Sequence, residues 1–249
     1  MPELLTSPHY PRAPITEAVI QLRVAADIEA RQQEKIAKRL KRDYPHSQPM
    51  HEVEVALDNT GGNVAVTQNA QGFRLANDDQ TNILILNNRS LTAARLPPYP
   101  GWNTLRDNAR AAWRVWSELT PHHPIERLGI RFINRIDIPS VAEPIINLEK
   151  YLRFHPQVTT ITPAPLLGYV LQVVVPTFDP AWTATVTSTV LPLSPVPNHT
   201  SVILDIDIFR IVNIPSKEDD LWPVVDDGRA IKNDLFERCI TDHSRKLFS

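Results

Sequence analysis

The chain has 249 residues, of which 42% are hydrophobic and 22% charged, with a formal net charge of −2 and a pI near 6.4. This balance counts against a general nucleic-acid binder, because Lys and Arg contacts to phosphate supply most of the affinity of such proteins. The lone Cys239 excludes an intrachain disulfide, and the length suffices for one large domain or two small ones that bury a core without staples.

Seven glycines stand against 23 prolines, so backbone sites for cradling phosphate are few and loops are well punctuated. From Met1 to Ala18 no cationic segment precedes an apolar run, and no apolar stretch approaches the ~18 residues of a membrane span. A cytosolic protein is the expectation.

Residues 1–14 carry Pro2, Pro8, Pro11 and Pro14 and read as an extended arm. Ile15 to Val24 alternates, with Ala18, Ile20, Leu22 and Val24 on one side and Glu17, Val19, Gln21 and Arg23 on the other, which is a strand of period two. Asp27 is the expected N-cap of a helix from Ile28 to Arg42, ended by Tyr44-Pro45. Within it, Arg31 to Arg42 holds six Lys/Arg against one Glu. Two readings stay open for this run: a solvated helix face, or a contact with nucleic acid or an acidic partner. Strands are expected at His51–Leu57 and Asn63–Gln68, joined by a hairpin turn at Asp58-Asn59-Thr60-Gly61-Gly62. Gly72–Ala76, Ile83–Leu86 and Ser90–Leu96 continue the meander, with Asn87-Asn88 as a tight turn. After the break at Pro97 to Gly101, Leu105, Ala109, Ala112, Trp113, Trp116 and Leu119 make the apolar stripe of a helix from about Asn103 to Leu119.

The pattern then restarts. Ile125–Ile138 reads as a long strand, with Leu128, Ile130, Phe132, Ile136 and Ile138 facing one way and Arg131, Ile133, Arg135 and Asp137 the other. Asn134 interrupts the apolar side, so either the alternation slips there or its amide is buried and bonded. A short helix at Ile146–Phe154 and strands at Leu167–Val175, Ala181–Leu191 and Ser201–Val212 follow. A helix from about Asp227 to Phe248 closes the chain, with His243 and Cys239 on its apolar stripe.

The expectation is an α+β protein of two similarly patterned halves, 15–120 and 121–249, each strand–helix–strands–helix. They build a curved antiparallel sheet with long helices packed on one face. The order is similar to the duplicated unit of the TATA-binding-protein fold and of helix-grip folds, an analogy of topology that fixes no function.

Two segments carry a resemblance to a family. Pro14-Ile15-Thr16-Glu17-Ala18-Val19-Ile20-Gln21-Leu22-Arg23 and Arg127-Leu128-Gly129-Ile130-Arg131-Phe132-Ile133-Asn134-Arg135-Ile136-Asp137-Ile138-Pro139 resemble the opening and central motifs of a sporadically distributed family of uncharacterised bacterial and archaeal proteins. The resemblance implies no activity. Scattered distribution of that kind goes with mobile elements, phage defence and toxin–antitoxin modules.

Both motifs are opening strands, one per half. If they pair at a pseudo-twofold axis, Glu17, Gln21, Arg23, Arg131, Arg135 and Asp137 form one surface, which Asp205 and Asp207 join from a later strand. This set is either a cross-strand ion-pair lattice, worth tenths of a kcal/mol per exposed pair, or a surface for a partner. Catalysis by it ranks third, since acid–base work requires groups held within hydrogen-bond reach.

Metal and cofactor signatures are missing. The eight His are scattered, no C-x-x-C, H-E-x-x-H, G-x-x-x-x-G-K-[ST], G-x-G-x-x-G or G-x-S-x-G occurs, and no cofactor is expected. Cys239 and His243 read as core residues, as do Trp113 and Trp116. Trp102 and Trp222, each near a proline, read as exposed contact residues. The composite expectation is a non-enzymatic protein that binds another macromolecule, most simply a protein partner encoded by a neighbouring gene. A nucleic-acid binder with a saddle-like sheet face is the alternative, and an enzyme of unrecognised class comes third.

Overall fold

A computed structural model describes residues 8–57, 64–140, 147–157 and 168–249, with side chains for all of these except 51–57 and 64–70. The expected turn at 58–62, the first seven residues of the arm and the start of the short helix lie outside the described residues. The elements are β1 (Ile15–Val24), α1 (Ala30–Leu40), β2 (His46–Leu57), β3 (Val64–Ala76), β4 (Asn82–Asn87), β5 (Ser90–Arg95) and α2 (Trp102–Leu119), then β6 (Ile125–Pro139), β7 (Val170–Pro176), β8 (Thr183–Val190), β9 (His199–Arg210), α3 (Glu218–Cys239) and α4 (Asp242–Leu247). The protein is α+β, with one nine-stranded antiparallel sheet of order β2-β3-β4-β5-β1-β6-β9-β8-β7. No helix among the described residues is long and apolar enough to cross a membrane.

The chain divides into two compact units. The first runs to Val19 and resumes at Leu128; the second is Ile20–Arg127.

In the second unit, α1 and α2 pack on one another and on β3, β4 and β5. Ile36 and Leu40 of α1, Leu105, Ala109, Ala112 and Trp116 of α2 and Leu84, Leu86 and Leu91 of the strands are fully or nearly fully buried. Trp113 and Trp116 stack at 6.1 Å within this core. The helix α1 starts two residues later than expected. Its N-cap is Glu29, not Asp27: the Glu29 backbone N–H donates to Gln32 Oε1 at 2.8 Å, while Asp27 accepts from Asn88 Nδ2. The basic run lies in the solvent, with Arg31, Lys35, Lys38 and Arg39 of α1 and Lys41 and Arg42 just past its end all exposed. Gly72, at φ 150°, sits beside the register shift between β2 and β3, and a Cβ there would fall on the Leu86 carbonyl of β4, so only glycine fits.

In the first unit, α3 covers the apolar side of β6, β8 and β9. Gly228 lets it approach closely: a Cβ there would stand 2.6 Å from the Trp182 ring and 2.7 Å from Ile130. Ile130, Phe132, Ile136, Ala184, Leu204, Ile206 and Ile208 are buried beneath. Asn134 lies on this side with 2% of its surface exposed, and its amide donates to Leu204 O at 3.0 Å. The strand keeps its alternation and satisfies the polar group across the ladder.

Three expectations for the C-terminal segment are corrected. The helix begins at Glu218, nine residues early, because Glu218, Asp219 and Asp220 offset the positive end of the helix dipole and Pro223 is accommodated within its opening turns. Trp222 is then 4% exposed, and so is Trp102 at the head of α2, so neither is a surface contact residue. The helix also breaks at Ile240-Thr241. Of the segment expected to be helical, Leu148–Lys150 forms a 3-10 turn and Leu152 makes an isolated antiparallel bridge to Ile240 beside this break. The segment's backbone is taken up there: Arg153 N–H donates to Cys239 O, and Thr241 and Ser244 hydroxyls donate to the carbonyls of Lys150 and Tyr151. The break turns His243 outward, so it is exposed and meets Tyr151 edge-on at 6.2 Å.

The arm at 8–14 fastens to these helices. Tyr10 sets its ring edge against Phe248 and donates to Glu237 at 2.9 Å, and Arg12 N–H donates to Phe248 O. Burial, with the adjacent Glu237, pushes the Tyr10 phenol up to about 12.

Candidate functional site

Of the eight sequence-predicted surface residues, six belong to the first unit: Glu17, Arg131, Arg135, Asp137, Asp205 and Asp207. Strand alternation puts them on the side of the sheet opposite α3. The β6–β9 register sets Arg131 across from Asp207, Ile133 from Asp205, Arg135 from Ile203 and Asp137 from Ser201. Arg131 reaches diagonally to Asp205, with Nε at 2.9 Å from Oδ1 and Nη2 at 2.5 Å from Oδ2. That bond to Asp205, aided by the charges of Asp207 and Glu17, holds the guanidinium above its ordinary pKa, while desolvation works against it. Arg135 bonds Asp137, two residues along the same strand, at 3.0 Å. Asp137 also accepts from the buried Ser201 hydroxyl at 2.5 Å, and Ser201 exchanges a hydrogen bond with Ser194 at 2.8 Å.

The face continues onto β8 and β7. Thr185 and Thr187 lie across from Asp207 and Asp205, and beyond them come Val174 and Gln172 of β7. The result is two short guanidinium–carboxylate pairs with an acidic excess, bordered by a threonine row. The hydroxyl relay Ser194–Ser201–Asp137 ends on a guanidinium, not an imidazole, and its central serine is shut off from solvent, so it lacks the base and the access of a nucleophile.

Gln21 and Arg23 belong to the second unit and sit in a different network. Arg127 donates to Gln21 Oε1 at 2.8 Å, and Gln21 donates on to Thr92. Arg23 pairs with Glu126 at 2.8 Å, and Arg89 binds the same carboxylate at 3.0 Å while reaching the Ala25 carbonyl. Here the ion-pair lattice pins the turn after β4 to the ends of β1 and β6. Arg127, Glu126 and Arg89 went unseen in the sequence, because nothing local marks a partner some forty or a hundred residues away.

A second group was also missed. Lys232, on the stripe of α3, is 4% exposed, and its Nζ stands 3.6 Å from the centre of the Phe132 ring. Desolvation lowers it to about 7, reinforced by Arg229 and opposed by Glu237. Glu237 is itself buried and bonded to Arg245 at 2.9 Å. The only sequence signal was a charged residue falling at the same helical positions as Gly228 and Phe236. Cys239 is buried, and desolvation raises its thiol to about 12, so it is not a thiolate.

Among the described residues no group of three or more His, Cys, Asp and Glu is placed to hold a metal ion. Compared with known families and curated proteins, the chain matches no family profile and no curated sequence.

Proposed function

We propose that the chain is a non-enzymatic binding protein that recognises a protein partner through the polar face formed by Glu17, Arg131, Arg135, Asp137, Asp205 and Asp207. The observation that carries this reading is the state of the two arginines. Arg131 is bonded by two of its nitrogens to Asp205, and Arg135 is bonded to Asp137, so the face presents oriented carboxylates with their guanidinium partners already engaged. Such a face repels phosphate and suits a cationic protein segment. The family resemblance adds the setting: a cytoplasmic defence or toxin–antitoxin type module, with the partner encoded by a neighbouring gene. The reading keeps the two halves as a duplication with a curved sheet and helices on one face, on the ground of element order.

The test is co-purification with the product of the adjacent gene. Asp207→Lys, at a partly exposed strand position, should leave the melting temperature within a few degrees and weaken capture at least about tenfold, since like charges brought together at an interface cost several kcal/mol. Retained capture would make the face an ordinary ion-pair lattice.

One observation supports a second reading. The exposed cations Arg31, Lys35, Lys38 and Arg39 stand at positions i, i+4, i+7 and i+8 along α1, which aligns them on one side of the helix. That stripe, not the sheet face, is where nucleic acid would bind. Affinity for duplex DNA would then fall steeply between low and physiological salt, with a slope that Lys35→Glu and Arg39→Glu reduce. Absence of binding at low salt ends this reading.

A further inference from the structure

The two outermost strands of the sheet order are β2 and β7. They are built differently. The strand β2 carries safeguards of an exposed edge: Pro49 within it and a register shift against β3 between Met50 and His51. β7 is Val170-Leu171-Gln172-Val173-Val174-Val175-Pro176, with no charge and no proline before its last residue. Among the described residues no strand pairs with its outer side. Val170 and Val174 are 77% and 64% exposed, and Gln172 between them is exposed as well. A regular, uncharged, β-branched edge of this kind invites another strand.

We propose that β7 pairs antiparallel with β7 of a second copy of this chain, on a twofold axis through Gln172. The pairing is self-complementary in this register. Val170 of each protomer faces the partner's Val174, and Gln172 faces the partner's Gln172, so the exposed side carries apolar–amide–apolar pairs. Pro176 falls outside this core of the ladder, where its missing N–H costs nothing. A twofold axis brings each residue near its own copy or a close neighbour, so any charge on β7 would meet a like charge. An uncharged strand is what such an isologous contact requires. The acidic face stays open in the dimer, because β7 adds its partner at the edge of the sheet and not on its face. This inference is independent of the partner-binding proposal.

The full chain should show a reversible monomer–dimer equilibrium by light scattering over a concentration series. Gln172→Lys and Gln172→Glu each place two like charges opposite one another, and each should weaken self-association at least about tenfold with unchanged circular dichroism and melting temperature. Mixing the two variants in equal amounts should restore a dimer. A chain that stays monomeric throughout its soluble range overturns the proposal, as does a Gln172→Lys dimer of undiminished stability. A mixture that fails to restore the dimer rules out this register.

Discussion

Lys232 shows how much a single side chain can bear on the whole fold. Its amine is held to about 7 by burial against Phe132, well below the ordinary lysine value of 10.5. Between those values the unfolded chain carries a proton that the folded chain does not, so stability rises with pH across that window, by about 1.4 kcal/mol per unit. The cost of charging the buried amine is greatest below neutral pH. Lys232→Met should therefore raise the unfolding free energy by several kcal/mol near pH 6, measured by urea titration, with the gain shrinking towards pH 10. An equal gain at both pH values would mean that the amine is not desolvated. The same principle explains Asn134 in reverse: a buried polar group is tolerated at β6 because the Leu204 carbonyl across the ladder receives its amide. The sequence showed that Asn134 broke the apolar side. It could not show which neighbour would satisfy it, since Leu204 lies seventy residues further on.

At the scale of elements, legibility followed periodicity. The opening strand and the long central strand stand where alternation placed them, and the helix over 102–119 where its apolar stripe did. Errors gathered where a local signal competed with a tertiary one. The last helix was expected from about Asp227, yet α3 starts at Glu218 and runs through Pro223, with Leu221, Trp222 and Val225 buried. The stripe through Cys239 to Leu247 read as one helix, but segment 150–153 intervenes and takes up the backbone groups at the break. Gly228 is a contact point between α3 and the sheet. Gly228→Ala should cost about 1–3 kcal/mol by thermal or urea unfolding, because the added methyl meets the buried Trp182 ring. A neutral or stabilising effect, as for glycine in an open helix, would show that α3 does not press on the sheet there.

For the whole molecule, the candidate face was legible as a list of residues but not as a geometry. Alternation alone put Glu17, Arg131, Arg135, Asp137, Asp205 and Asp207 on solvent sides of strands. The register of β6 with β9 then decided that Arg131 is bonded to Asp205 diagonally while facing Asp207, and that Asp137 meets a buried serine. Gln21 and Arg23, read from the same alternation, sit instead in the Arg89–Glu126–Arg127 network of the second unit. The acidic character of the face follows from register, and it turns the reading from phosphate towards a cationic protein segment. The most direct test is a calorimetric titration of the chain and of its Asp207→Lys variant with the purified product of the adjacent gene. The account predicts saturable binding by the native chain that weakens with salt and drops at least about tenfold in the variant. Equal affinity for a folded variant, or no binding by the native chain, would contradict it.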